Sequence, residues 1–202
     1  MARTRTGTRA HKRSFHFVER YYARYYRDAR TRVTEQTDSE QLAAFIAGYL
    51  GYLGQPVRNI LDLGCGLGVL QKPLLARFPG ARYVGVERSR YACEQYGFKQ
   101  GSVVDFKARG RFDLVICKGG LQYLDAREAS AALQNLAELC RGCMYLEALT
   151  REDWDDAADR KRTDGDVYLR PASFYRKRLR APFQAAGGGI FVHERSPAVL
   201  YA

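Results

Sequence analysis

The stretch of residues 60–68, which reads I-L-D-L-G-C-G-L-G, constrains the fold more than any other part of the chain. Its apolar start indicates the end of a buried strand. The three glycines at every second position indicate a turn with unusual backbone dihedrals, where a ligand can approach closely. Residues 69–78 are rich in Leu, Ala, Lys and Arg and can begin a helix. A strand, a glycine turn and a helix in this order point backbone N–H groups at an anion or a polar ligand head.

Strand-like and helix-like segments alternate along the middle of the chain. This alternation is typical of an α/β fold with a doubly wound parallel sheet and helices on both faces. At the end of the chain we expect a helix, residues 171–186, closed by three glycines, with a break at Pro182 as the alternative. Two short strands that pair as an antiparallel hairpin are expected to follow. The expected strands are residues 58–63, 82–87, 98–103, 112–117, 143–149, 190–194 and 198–202, and the expected helices between them are about 71–78, 89–96 and 126–140.

The start of the chain has a different character. Arg, Thr and Gly without periodicity predict a disordered basic tail. Apolar and aromatic residues then recur every three or four positions over residues 15–30, which predicts a helix. A second helix is predicted at residues 40–52, with Ser39 as its N-cap. The expected organisation is a tail at residues 1–13, a helical cap of the same domain at 14–54 and a ligand-binding domain at 55–202.

The composition limits the class of protein. A chain of 202 residues suits one domain with a full core. No apolar run approaches the roughly 18–20 residues of a membrane span, and no signal-peptide core follows the basic start. The five cysteines are odd in number and lie mostly in apolar contexts. This pattern favours reduced thiols in a cytoplasmic protein over disulfides or a metal site.

The net charge of +11 is unevenly distributed. Residues 1–32 carry ten Lys and Arg against two acids, and residues 170–180 carry five against none, whereas residues 151–166 are acidic. The two basic stretches can attract phosphate, as in a nucleic acid. A soluble basic surface without such a partner explains the same pattern, and we favour it.

Glu87 ends the second expected strand and is the expected partner of the glycine turn. A carboxylate there can accept hydrogen bonds from both hydroxyl groups of a ribose, each contributing roughly 1.5–3 kcal/mol. An exposed strand end is the alternative. The glycine spacing is G-x-G-x-G, with Asp62 two residues before the first glycine, whereas dinucleotide sites of dehydrogenases have G-x-G-x-x-G.

Four stretches resemble motifs of the class I S-adenosylmethionine-dependent methyltransferases. Residues 60–68 resemble the first motif, and V-G-V-E at 84–87 resembles the second. Q-G-S-V-V-D-F at 100–106 resembles the third, and F-D-L-V-I-C-K-G-G-L-Q-Y-L at 112–124 resembles the fourth. The resemblance covers about residues 55–202. It implies a mostly parallel, seven-stranded Rossmann-like sheet whose last strand is antiparallel, an N-terminal helical cap, and S-adenosyl-L-methionine as the cofactor.

The resemblance also implies roles for single residues. The acid and the glycines of the first motif hold the amino-acid end of the cofactor, and Glu87 holds its ribose. The third motif meets the adenine, although the family often has Asp where this chain has Ser102. The end of the fourth strand lines the pocket near the methyl group; for Cys117, a plain core thiol is an equal alternative. The residues implied in cofactor binding are Asp62, Gly64, Cys65, Gly66, Gly68, Glu87, Arg88, Ser102, Val103, Cys117, Lys118, Tyr21 and Tyr26.

Four tyrosines lie between residues 21 and 26 and fit the same resemblance, because a helix before the first strand commonly closes over the cofactor in this family. Their hydroxyl groups can bond to the cofactor carboxylate, and their ring faces suit a sulfonium cation. Tyr21 and Tyr26 are the first candidates. Simple packing is the alternative for the others.

Groups that meet the methyl acceptor are expected beyond the carboxyl ends of the fourth and fifth strands. Tyr123, Glu147, Asp153 and Trp154 lie there, and we take Tyr123 and Glu147 as the candidate catalytic residues. Glu147 can act as a base, anchor a cation, or form an ion pair at the strand end. Methyl transfer from an activated reagent depends mainly on alignment, so it does not require an obvious base.

The fourth motif contains neither N-P-P-Y nor D-P-P-Y, the signature that resembles nucleic-acid amine methyltransferases. The expected activity is therefore methyl transfer to an O or N atom of a small molecule, and the acidic stretch favours a cationic or amine-bearing one. The alternatives are an RNA or protein methyltransferase that uses the basic N-terminus, and a non-catalytic cofactor-binding module. No membrane partner is expected, and the sequence leaves the oligomeric state open.

Overall fold

A seven-stranded sheet forms the centre of the computed structural model, which describes residues 17–28, 30 and 36–200. The strands in chain order are β1 Asn59–Leu63, β2 Arg82–Glu87, β3 Lys99–Gln100, β4 Phe112–Lys118, β5 Cys140–Glu147, β6 Phe183–Gly187 and β7 Ile190–His193. Their order across the sheet is β3-β2-β1-β4-β5-β7-β6.

Helices connect the strands and precede the sheet. A π-helical turn, Ala23–Arg27, continues the first helix, and a 3₁₀ turn, Leu121–Tyr123, follows β4. The helices are α1 Glu19–Tyr22, α2 Gln36–Tyr52, α3 Gln71–Arg77, α4 Arg90–Tyr96, α5 Ala126–Leu139, α6 Arg151–Asp156 and α7 Ala172–Leu179.

The first five strands run parallel, and β7 pairs antiparallel with both β5 and β6. Successive side chains of a strand point to opposite faces, so the sheet separates two apolar layers. Ile60 packs on the face covered by α2 and α3, and Leu61 on the face covered by α5 and α7. The predicted doubly wound, mostly parallel sheet with an antiparallel last strand and helices on both faces is confirmed.

Local sequence signals explain where several helices begin and end. The Ser89 hydroxyl accepts a hydrogen bond from the Ala92 N–H and caps α4, and Gly97 ends that helix with a φ of 72°. Asp125 and Glu128 form a reciprocal capping box at the start of α5. The predicted helices at about 89–96 and 126–140 are confirmed.

The end of the chain differs from the prediction. The helix α7 stops at Leu179, well before residue 186, because Pro182 has no N–H to donate and the following residues pair as β6. Three glycines with positive φ, residues 187–189, form the hairpin turn instead of a helix cap. The predicted strand at residues 198–202 is also wrong within its described part. The Val199 N–H donates to the Leu53 carbonyl at 3.0 Å, which ties this segment to the end of α2 instead of to the sheet.

Three smaller predictions also need correction or fall outside the described part. Ser39 lies inside α2 and is buried, so it does not cap that helix. The third strand is limited to two residues, because the Ser102 carbonyl accepts N–H groups from Asp105 and Phe106 and turns the chain. The predicted tail, residues 1–13, lies outside the described residues. Within the described part, no helix is long and apolar enough to cross a membrane.

Candidate functional site

The glycine turn after β1 has the geometry that its sequence predicts. Gly64, Gly66 and Gly68 have φ values of 79°, 58° and 70°, a region that residues with a side chain rarely adopt. A Cβ atom on Gly66 would lie 3.3 Å from the Tyr26 hydroxyl oxygen, so the tyrosine ring lies directly over the turn. The turn needs glycine both for its backbone and for the close approach of this ring.

The Glu87 carboxylate joins the end of β2 to the glycine turn. One carboxylate oxygen accepts the Gly66 N–H at 2.9 Å, and the other accepts the N–H groups of Arg88 and Ser89 at 2.7 and 2.9 Å. Only 6% of Glu87 is exposed. Three backbone donors satisfy this buried carboxylate and fix its direction.

Asp62 lies on the neighbouring strand and is 2% exposed. Burial raises the pKa of its carboxyl group to about 7, although the Tyr83 hydroxyl, which donates to it at 2.6 Å, lowers the value and limits the rise. Asp62 therefore changes charge near neutral pH, in contrast to an ordinary surface aspartate.

Two adjoining cavities open at the carboxyl ends of the parallel strands. The narrow cavity has a volume of about 80 Å³ and is bounded by Glu87 and Gly66. The wide cavity has a volume of about 490 Å³ and is bounded by the ends of β4 and β5. The residues that line both cavities are Tyr21, Tyr26, Gly64, Lys118, Gly119 and Tyr123.

Most of the predicted site residues line one of these cavities. Many of them come from different strands, and only the sheet order brings them to one place. Besides the shared residues, those at the narrow cavity are Gly66, Glu87, Arg88, Ser102 and Val103, and those at the wide cavity are Asp62, Cys65 and Glu147.

Two predicted residues, Gly68 and Cys117, line neither cavity among the described residues. Gly68 faces the ring of Phe98. Cys117 is fully buried in the apolar layer that α5 covers, and burial raises the pKa of its thiol to about 12. These surroundings fit the interpretation of Cys117 as a core thiol.

A tyrosine-rich segment, residues 17–27, covers both cavities; we call it the tyrosine cover. Hydrogen bonds attach it to α4: the Ser89 hydroxyl donates to the Phe17 carbonyl at 2.6 Å, and Arg27 donates to the Tyr91 and Tyr96 hydroxyl groups at 2.7 and 3.4 Å. Within the cover, Tyr22 is 2% exposed and its ring stacks on that of Tyr91 at 6.0 Å. The cover therefore packs on the domain through aromatic rings and a few hydrogen bonds.

Two groups of polar side chains lie in the wide cavity. The Tyr21 and Tyr123 hydroxyl oxygens are 2.8 Å apart, and the Tyr123 hydroxyl donates to an Asp164 carboxylate oxygen at 3.1 Å. On the other wall, Glu147 forms an ion pair with Lys118 at 3.2 Å and accepts the Tyr145 hydroxyl at 2.7 Å. Both predicted catalytic residues, Tyr123 and Glu147, thus lie in this cavity with polar partners.

The buried Arg170 side chain holds the turn that carries Tyr123. Its guanidinium donates to the carbonyl oxygens of Leu121 and Leu124, and the Tyr168 N–H donates to the Gln122 carbonyl at 2.8 Å. These bonds fasten the segment after α6 to the 3₁₀ turn.

Sequence reasoning missed Tyr83, Asp164 and the contribution of Phe17. Tyr83 pairs with Ile60 across the β1–β2 ladder, so it points to the same face as Asp62; strand register was the only signal. Asp164 lies in a segment without periodicity, and its contact with Tyr123 spans 41 positions.

Among the described residues, no group of three or more His, Cys, Asp or Glu side chains is arranged to hold a metal ion.

Comparison with known proteins finds a family model described as "Methyltransferase domain" that matches residues 61–142. A curated trans-aconitate 2-methyltransferase from Enterobacter sp. (strain 638) is 36% identical over 75 aligned positions, and the match covers 34% of this chain. The matched segment spans 30% of the length of that relative.

Solved structures extend the similarity to the whole fold. A sugar N-methyltransferase from Streptoalloteichus sp. ATCC 53650 superposes with a TM-score of 0.64 at 18% identity, covering 97% of this chain and 99% of that one. An amino pentose methyltransferase from Micromonospora echinaspora, solved with S-adenosylmethionine bound, gives a TM-score of 0.63 at 18% identity, covering 91% of this chain and all of the other. At these identities the likeness concerns the fold.

Proposed function

The chain belongs to the class I, Rossmann-like S-adenosylmethionine-dependent methyltransferases, and from this premise we propose that it moves a methyl group from S-adenosyl-L-methionine to an O or N atom of a cationic or amine-bearing small molecule. The observation that supports this class of acceptor is the negative charge of the wide cavity. Five carboxylates and a single lysine line it, namely Asp62, Glu147, Asp153, Asp159, Asp164 and Lys118.

The residues around the narrow cavity fit the nucleoside end of the cofactor. The Glu87 carboxylate, fixed by three backbone donors, would hold the ribose hydroxyl groups. Arg88, Ser102 and Val103 lie in the same cavity and would meet the adenine. Asp62, in the adjoining cavity, would hold the amino group at the other end. When bound, the cofactor supplies a methyl group that is already activated on a sulfonium.

The tyrosine cover has to shift for the cofactor to enter. The narrow cavity has about 80 Å³, below the roughly 300–1,000 Å³ of ordinary small-molecule sites. Tyr22 and Tyr26 of the cover line this cavity, and Tyr26 lies directly against Gly66 of the glycine turn. After closure, the aromatic rings would exclude water and hold the two reactants in line, and such alignment can contribute about 7–11 kcal/mol.

The wide cavity supports a small, positively charged acceptor. Its volume of about 490 Å³ falls in the usual range for small-molecule sites. The one lysine is already paired with Glu147, so the cavity keeps an excess of negative charge. The tyrosine rings add faces that attract cations. We propose that Glu147 anchors the acceptor, and that Tyr123 positions its reacting atom.

The relatives divide between two kinds of acceptor. The sugar N-methyltransferase and the amino pentose methyltransferase support an amine-bearing acceptor. The curated relative is named for trans-aconitate, an anion. An anionic acceptor would meet repulsion in a cavity with five carboxylates, so the electrostatics favour the amine.

All five cysteines are free thiols, which supports a cytoplasmic location.

Tritiated-methyl transfer into a fractionated cell extract tests the proposal. We expect label in the cationic small-molecule fraction, retained on a cation exchanger. A Glu87→Ala variant serves as the control and should transfer no label. Label in the RNA or protein fraction would contradict the acceptor class, and no transfer into any fraction would contradict methyltransferase activity.

A further inference from the structure

A hydrogen-bond chain crosses the wide cavity from the tyrosine cover to the segment after α6. The Tyr21 and Tyr123 hydroxyl oxygens are 2.8 Å apart, and the Tyr123 hydroxyl donates its only proton to Asp164 at 3.1 Å. Since Tyr123 has no second hydroxyl proton, Tyr21 must be the donor in the first bond. The direction of the chain is therefore fixed: Tyr21 donates to Tyr123, and Tyr123 donates to Asp164.

The hydrogen-bond chain begins at Tyr21, where the two cavities meet. Tyr21 and Tyr123 line both cavities, whereas Asp164 lines the wide one. The Tyr21 oxygen keeps lone pairs that can accept a proton from a group placed at this junction. Asp164 is only partly buried, so its carboxylate can exchange a proton with solvent. The Asp166 N–H donates to the other Asp164 oxygen at 3.0 Å and holds the carboxylate in place.

Methylation of an acceptor that carries an N–H or O–H bond leaves one surplus proton. Resting on the proposed function, we propose that Tyr21, Tyr123 and Asp164 form a relay that removes this proton, with the Asp164 carboxylate as the final base. As the new bond to the methyl carbon forms, the acceptor proton moves to the Tyr21 oxygen, the Tyr21 proton moves to the Tyr123 oxygen, and the Tyr123 proton moves to Asp164. Both tyrosines end neutral, and Asp164 ends as a carboxylic acid.

The other groups near the acceptor are less suited to this step. Burial raises the pKa of both Tyr21 and Tyr123 far above the neutral range, so these side chains remain protonated and can only pass a proton on. Glu147 is engaged by Lys118 and by the Tyr145 hydroxyl. Tyr26 also faces both tyrosines of the hydrogen-bond chain, and Tyr25, whose ring lies 4.9 Å from that of Tyr21, faces Asp164 and Asp166.

An Asp164→Asn substitution tests the relay, because the amide oxygen can still accept the Tyr123 hydroxyl bond but takes no proton. With the acceptor found by the tritium assay, we expect kcat at neutral pH to fall on the order of 10²-fold or more, with little change in acceptor KM. The loss should shrink in alkaline buffer, where hydroxide removes the proton. The matched control is Asp156→Asn, the same change on an exposed residue at the end of α6 that lines neither cavity, which should leave kcat and the pH profile unchanged.

A second measurement tests the chain without turnover. With tyrosine labelled by ¹³C at the ring carbon that carries the hydroxyl, Tyr21→Phe should shift the Tyr123 resonance in the cofactor-free protein. An unchanged resonance would overturn the chain itself. If the wild type transfers methyl groups and Asp164→Asn matches its kcat and pH profile, the relay is wrong and the proposed function stands. If the wild type transfers none, both proposals fail.

Discussion

Two buried carboxylates, Asp62 and Glu87, are held differently although they lie on neighbouring strands. Glu87 accepts three backbone N–H groups, whereas Asp62 accepts a hydrogen bond from the Tyr83 hydroxyl. Three backbone N–H donors offset much of the free-energy cost of burying a carboxylate charge, whereas a single phenol hydroxyl offsets much less of it. The two residues therefore suit different tasks: a fixed acceptor for hydroxyl groups, and an acid whose charge depends on its ligand.

The affinity for S-adenosylmethionine should fall as the pH drops through about 7, because Asp62 becomes protonated there and loses its attraction for the amino group of the ligand. The same linkage acts on folding: the folded state holds this proton more tightly than the unfolded chain, so the contribution of Asp62 to stability decreases as the pH rises towards 7. Isothermal titration calorimetry on both sides of this pH measures the affinity.

The control for the pH effect is Tyr83→Phe. It removes the hydrogen bond that lowers the pKa of Asp62, so the fall in affinity should move to higher pH. An affinity that is flat across this range in both proteins would contradict the assignment of Asp62 to the amino group.

Glu87→Gln should weaken cofactor binding roughly 30–200-fold, since charge-assisted hydrogen bonds to the ribose become neutral ones and about 2–3 kcal/mol is lost. The matched control is Glu94→Gln, which removes an exposed ion pair to Arg90 on α4. Exposed pairs of this kind contribute little to stability. Titration calorimetry should show unchanged affinity for the control; equal affinities for both variants would contradict the ribose role of Glu87.

At the scale of secondary-structure elements, the tyrosine cover is attached to α4 by few bonds for the area it covers. Arg27 donates to the Tyr91 hydroxyl on the exposed surface, and the Ser89 hydroxyl holds the Phe17 carbonyl. Arg27 also donates to the Tyr96 hydroxyl at 3.4 Å, and elsewhere the cover contacts the domain through aromatic rings and through the Tyr21–Tyr123 hydrogen bond. Segments held in this way open more readily than the core strands. Such opening is needed here, because the narrow cavity is too small to admit the cofactor while the cover is closed.

Loss of the Arg27 attachment should make the cover open more often. We expect Arg27→Ala to release bound S-adenosylmethionine several-fold faster, because the hydrogen bond to Tyr91 no longer holds the cover closed. Stopped-flow displacement measures this rate. The control is Arg20→Ala, which removes an exposed arginine from the same helix. If both variants release the ligand at the wild-type rate, the cover does not limit release.

Sequence patterns predicted the elements whose signals are local. The cap of α4 at Ser89 and its end at Gly97 are specified within the helix itself. The terminal hairpin was misplaced because residues 183–187 have no strong alternation; they become a strand only because β7 lies beside them. The same distinction applies in the site: Glu87 was found from its spacing to the glycine turn, whereas Tyr83 and Asp164 depend on register and long-range contact.

At the scale of the whole molecule, opposite charges are separated in space. The wide cavity carries five carboxylates and one lysine. The helix α7 packs on the face of the sheet opposite to α2 and carries Arg176, Lys177 and Arg178. Long-range attraction acts through the local field of a cleft more than through net charge. The net charge of +11 is thus a poor guide to the ligand, and the acidic cavity is the better one.

The salt dependence of methyl transfer distinguishes acceptor binding in the acidic cavity from acceptor binding on the basic surface. A small cationic acceptor should show at most a few-fold rise in KM between roughly 50 and 200 mM salt, whereas an RNA acceptor that contacts six to ten phosphates would lose about 10³–10⁵-fold in affinity. We expect the first behaviour in methyl-transfer assays. Replacing Arg176, Lys177 and Arg180 by Ala removes three basic groups that line neither cavity and should leave kcat/KM unchanged. A steep loss of transfer with salt, together with a similar loss in the triple variant, would show instead that the basic surface binds the acceptor.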